Sequence, residues 1–190
     1  AITLPAGEYR LRVFKGIEYR MEHREVRIEV GRRVKLDVPL ARWINLPALG
    51  WYSADDHLHI SRPVKELDPL LSKWMQAEDL NVANLLQFGT WNSFFGAPQH
   101  AFGSDGVYRE GNFLLVSGQE NPRTDFLGHT IILGGRTPIQ FSEQYEIFRN
   151  FWEEARRQGA SASELTISRL RAENIRELVF FMCNSSLRVT

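Results

Sequence analysis

His57 and His59 stand on either side of Leu58 in the stretch Ser53-Ala54-Asp55-Asp56-His57-Leu58-His59-Ile60. On a β-strand residues i and i+2 share a face, and their Cα atoms lie only ~6.6 Å apart, so two imidazoles can converge on one point. Neutral imidazole is a common nitrogen ligand for zinc, manganese or iron, so the pair reads as a divalent-metal dyad. Asp56 stands next to it, as a third ligand or as an acceptor behind one of the rings. The same spacing also fits two histidines that merely alternate along a strand, because H-x-H is a short motif. Cys183 is the single cysteine, which excludes an internal disulfide and leaves only histidine and carboxylate to hold a metal.

Two more groups can face the same mouth. Glu120 follows a strand read over 113–118, and His129 opens another read over 129–133. Two histidines, a glutamate and a third histidine make a hydrolytic metal set. Taken alone, Glu120 reads as a solvated loop carboxylate. The irregular stretch 89–111 is aromatic, and Trp91, Phe94 and Phe95 in it, with Arg123 beyond Glu120, are the candidate substrate-binding residues. Aromatic anchors that pack such a loop onto itself give the same pattern. His100 lies in this loop with nothing local to give it a role, and His23 reads as a surface histidine.

The elements that must position these groups are legible in outline. Between Tyr9 and Leu40 the alternation of Tyr9, Leu11, Val13, then Val26, Ile28, Val30, then Val34, Leu36, Val38 predicts three or four antiparallel strands, a partial β-sandwich over 1–42. Asp68-Pro69 predicts the start of a helix to about Glu78 with Leu71, Trp74 and Met75 on the core. The apolar run 81–88 predicts a buried strand, so that strand, helix and strand form a right-handed βαβ unit with parallel strands and a shared mouth at their carboxyl ends. Ser142 is a candidate cap for a helix with Tyr145, Phe148, Trp152 and Ala155 on one stripe, ending at Gly159. A helical pattern is also compatible with the atypical tail 160–190.

Bulk properties narrow the partners. Lys+Arg and Asp+Glu both number 23, so no net field draws nucleic acid or an anionic membrane surface. No apolar run approaches the ~20 residues that span a bilayer. A small-molecule substrate is the expected partner. The opening residues read as the interior of a β-domain, hence a fragment of a longer protein, cytoplasmic or exported if a leader lies upstream.

Gly50-Trp51-Tyr52-Ser53 leading to Asp56-His57-Leu58-His59, then Gln76-Ala77-Glu78-Asp79-Leu80-Asn81-Val82-Ala83-Asn84, Ser117-Gly118-Gln119-Glu120 and Gly128-His129-Thr130-Ile131-Ile132-Leu133-Gly134 together resemble the PHP (polymerase and histidinol phosphatase) superfamily. The nearest branch is the CehA/McbA-like metal-dependent hydrolases, and the resemblance runs from about residue 5 to 159. It implies an α/β fold, a partial PHP-type distorted (β/α) barrel over 43–159 preceded by a carboxypeptidase-regulatory-like partial antiparallel β-sandwich. It also implies a divalent metal held by His57, His59, Glu120 and His129. Asp56 would steady a ligand ring, Glu120 and Asp56 would be the catalytic carboxylates, and activated water would attack a phosphoester or a carbamate/amide bond. Two departures stand out. The family carries an Asp-His pair where this chain has Gln87-Phe88, and no histidine follows His129. These favour the alternative of a truncated, non-catalytic relative that acts as a metal- or ligand-binding module. An incomplete barrel would also expose apolar surface that a second copy could cover, as a homo-oligomer.

Overall fold

The computed structural model describes residues 2–141 and 143–165. By their contacts these fall into two units, 2–52 with 77–79, and 53–76 with 80–165. The stretch 43–52, which the sequence assigns to the second domain, groups with the first unit.

The first unit is built on an antiparallel pair, β1 (Gly7–Val13) and β2 (Glu22–Ile28), with Tyr9 opposite Val26 and Leu11 opposite Arg24. Tyr9, Leu11, Val13, Val26 and Ile28 are half-buried while their neighbours are exposed, as the period of two requires. The expected strand over 34–40 does not form. Val34 and Leu36 are 44% and 46% exposed, and the next pairing is a single bridge from Tyr19 to Arg42. An alternating pattern becomes a strand only against an edge that offers a ladder, and Pro39 has no N–H to give one. Among the described residues the sandwich is therefore a two-stranded sheet. The chain beyond it is pinned by the buried Glu18, whose carboxylate accepts from Arg42 Nη1 at 2.6 Å and from the Leu46 N–H at 3.0 Å.

The second unit carries a mixed sheet in the order β3-β4-β7-β8-β9, with β5 paired to β4 and β6 to β7. Its elements are β3 (Ala54–Leu58), α1 (Asp68–Glu78), β4 (Val82–Gly89), β5 (Phe94–Gly96), β6 (Val107–Glu110), β7 (Phe113–Thr124), β8 (Gly128–Leu133), α2 (Phe148–Gln158) and β9 (Ser161–Leu165). β3, β4 and β7 run parallel, with α1 as the crossover from β3 to β4, which is the βαβ unit read from the sequence. β8 and β9 are antiparallel. The reason is local: only Asp125–Leu127 separate β7 from β8, and a parallel crossover needs about a dozen residues. No closed barrel forms among the described residues, and the fold is mixed α/β with far more strand than helix.

Each helix covers part of the sheet. Leu71 and Met75 of α1 pack on Ala83, Leu85 and Leu115, all 5% exposed or less. Trp74 does not join them and is 53% exposed, because the buried stripe of α1 is Asp68, Leu71, Ser72 and Met75 and Trp74 falls off its edge. In α2, Phe148, Phe151 and Ala155 are buried, and Phe151 meets Ile132 and Ile139. Of the expected stripe, Phe148 and Ala155 are buried and Tyr145, ahead of the helix, packs against this cluster, while Phe151 takes the buried place expected of Trp152, which is half-buried. Gly159 closes α2 in the left-handed conformation at φ 78°, its N–H reaching the Ala155 and Arg156 carbonyls. Ser142 lies outside the described residues. The helix expected from residue 160 begins instead as β9, and residues 166–190 lie outside the described residues.

Candidate metal centre

His57 and His59 come from the end of β3, Glu120 from β7, and β4 runs between the two strands. Convergence across an intervening strand needs the β3 end to bend. The ladder to β4 is irregular between Asp55 and Leu58, and there Asp55 Oδ1 accepts the His57 N–H at 2.9 Å. On β7, Glu120 is flanked by Phe88 of β4 and Ile131 of β8, which leaves its carboxylate 1% exposed.

Three ligand atoms then meet. Glu120 Oε2 lies 3.2 Å from His57 Nε2 and 2.7 Å from His59 Nε2, and the two Nε2 atoms are 3.1 Å apart. The partner of the other ring nitrogen decides what His59 offers. Its Nδ1 is 3.0 Å from the Leu86 carbonyl, an oxygen that can only accept, so Nδ1 carries the proton and the neutral ring turns an Nε2 lone pair inward. Glu120 Oε2 is buried with no well-directed hydrogen bond. At these separations the His59 lone pair and the orphaned carboxylate oxygen repel one another unless a cation, or a proton carried by His57 Nε2, sits among them. The donor set fits a divalent ion with His/His/carboxylate preference, zinc, manganese and iron included.

Without an ion, a hydrogen bond between His57 and Glu120 takes its place. Burial alone would raise the Glu120 carboxyl, but the hydrogen bond from His57 and the charges of Arg123, His57 and His59 outweigh it and bring it down to about 2. The bond to Glu120 raises His57 against the opposing effect of burial. Burial raises Asp56.

The remaining sequence candidates divide. His129 stands outside the group of three; its Nδ1 donates to Glu120 Oε1 at 2.5 Å, so it bonds a ligand. Among the described residues, no hydrogen bond joins the Asp56 side chain to His57 or His59, and the carbonyl of Leu86 supports the His59 ring instead. Arg123 reaches the site, its Nε 3.4 Å from Glu120 Oε1. Phe95 touches it through Phe88, whose ring is 5.4 Å edge-on from Phe95 and 4.7 Å from His59. Phe94 belongs to β5, and Trp91 lines a separate cleft of about 320 Å3 with Gln144, Tyr145, Glu146 and Ile147. His100 lies elsewhere, its Nε2 3.5 Å from Asp68 Oδ2 beside the fully buried Arg62, which bonds Ser117 Oγ and the Gly106 carbonyl. Gln87, at the position where the resemblance expects a ligand, accepts the Gln99 N–H at 3.2 Å.

Sequence reasoning missed Leu86, Phe88 and Tyr145. Leu86 acts through a backbone carbonyl, for which no residue type is a signal. Tyr145 was read as a core position, yet its hydroxyl donates to Asn121 Oδ1 at 2.6 Å and accepts the Arg123 N–H at 2.8 Å, fixing the backbone just beyond Glu120.

Fold and site thus define a mixed α/β protein with a His57–His59–Glu120 cluster that could hold a metal ion. No family model, no curated protein and no solved structure matches the chain.

Proposed function

We propose that this chain is a metal-dependent hydrolase of the PHP type, CehA/McbA-like, acting on a phosphoester or a carbamate/amide bond. The observation that carries the reading is the meeting of His57 Nε2, His59 Nε2 and a buried Glu120 oxygen from strands that are not neighbours. His57, His59 and Glu120 would hold the ion, and a divalent cation bound there supplies Lewis acidity and brings water within reach of ionisation near neutral pH. Glu120, as an acid of pKa about 2, stays ionised throughout and suits a ligand more than a proton carrier. Burial raises the Asp56 carboxyl, which favours its taking a proton. His129 fixes the second oxygen of Glu120 through its Nδ1.

A second reading, a metal- or ligand-binding module without turnover, is favoured by Gln87 and Phe88. Neither side chain ligates, because one bonds the Gln99 backbone and the other packs on His59 and Phe95. Elemental analysis of the purified protein beside a His57→Ala/His59→Ala double variant tests both readings. Bound transition metal that the variant loses supports a metal centre, and turnover of phosphoesters or carbamates then separates enzyme from module. If both proteins are metal-free and equally folded, the hydrolase reading fails.

A further inference from the structure

Among the described residues, Arg123 is a charged side chain at this site that donates no side-chain hydrogen bond. Its guanidinium carbon stands 4.8 Å from the centroid of the Phe88 ring, and its Nε 3.4 Å from Glu120 Oε1. Nε is buried and has no hydrogen bond, and among the described residues no acceptor meets the two terminal nitrogens. The side chain is nevertheless 30% exposed. Its backbone N–H donates to the Tyr145 hydroxyl at 2.8 Å, which fixes the main chain from which the side chain reaches Phe88 and Glu120. A guanidinium kept in position by stacking and charge, with its donors unspent, matches an oxyanion that accepts two parallel N–H bonds.

We propose that Arg123 is the anion-recognising residue of the site, so that the substrate carries a phosphate or carboxylate group beside the bond that is cut, and neutral esters and amides are poor substrates. This rests on the hydrolase reading above and narrows it. The test is a calorimetric titration of inorganic phosphate, and separately of acetate, into manganese-reconstituted wild-type, Arg123→Met and Arg123→Lys proteins, with manganese measured in every sample. Methionine keeps the contact with Phe88 and removes the donors, and melting curves report whether it folds. The expected result is unchanged manganese, with affinity for the preferred anion weakened about tenfold to a hundredfold in Arg123→Met and less in Arg123→Lys. The stronger-binding probe tells phosphate from carboxylate. Equal affinity in wild type and Arg123→Met, no anion binding by wild type, or joint loss of manganese and anion in Arg123→Met would each overturn the proposal. In the last case Arg123 only buttresses Glu120. If wild type takes up no manganese, the hydrolase reading fails separately, and the same titrations on metal-free protein decide the role of Arg123 by whether phosphate or acetate binding depends on it.

Discussion

Glu120→Gln in chelator-treated protein probes the cluster without any metal, because it replaces a buried anion by a neutral side chain of the same shape. In the folded chain the carboxyl falls from its ordinary 4.5 to about 2. A shift of that size corresponds to at most about 3 kcal/mol favouring the ionised form. The sign is set by each partner. Glu120, with a depressed folded value, contributes stability that is present above 4.5 and lost as the pH falls through about 2. His57, with a raised folded value, contributes stability that is present below 6.5 and lost as the pH climbs through that raised value. The pair is therefore most stabilising between about 4.5 and 6.5, and the two shifts describe one interaction that is counted once. Urea unfolding in chelator across a pH series measures it. Wild type should exceed Glu120→Gln by about 2–3 kcal/mol near pH 6, with the gap narrowing toward pH 9 and again below pH 4. Parallel curves for the two proteins across the series would refute the reasoning.

His129→Ala leaves His57, His59 and Glu120 in place but frees Glu120 Oε1, and metal affinity measured by competition with a chelating dye should weaken about tenfold to a hundredfold. A Cβ at Gly96 would stand 2.0 Å from the Phe88 ring, so Gly96→Ala must displace the ring that abuts His59 and carries Arg123. The expected outcome is a weaker metal site in a protein that still folds, seen as reduced metal affinity with near-native circular dichroism. On α1, Met75→Ala should cost about 2–5 kcal/mol by cavity formation, whereas Trp74→Ala should change urea stability by no more than about 0.5 kcal/mol.

What the sequence made legible follows from periodicity. A period of two placed His57 and His59 on one face, and Asp68-Pro69 marked the start of α1, because both signals are local. The βαβ unit followed from element order alone. Glu120 became a candidate only through the company of His57, His59 and His129, since a single carboxylate has no spacing to betray it. Non-local facts were out of reach. Residues 34–40 carry a strand pattern but lack an edge to pair with, and Trp74 has the apolar character of a core residue on a flank that the core does not reach. The Leu86 carbonyl that sets the His59 tautomer is invisible to any reading of side chains. The long strand β7 was read as half its length, because its polar second half, Gln119 to Thr124, looks like loop until β8 folds back beside it.

The order of strands in the mixed sheet has a topological consequence. His57 and His59 lie early in the second unit and Glu120 far along it, on strands that share no ladder with each other. An ion held by all three would close a long loop of chain in the way a covalent staple does, and would draw its binding energy into the cohesion of the sheet. Binding to the folded state alone raises stability with the logarithm of ligand concentration. Chelation would then loosen first the β3 edge, whose other attachment to the sheet is an irregular ladder to β4, while β7 and β8 stay clasped. Metal supply would govern how long the chain survives as well as what it can do.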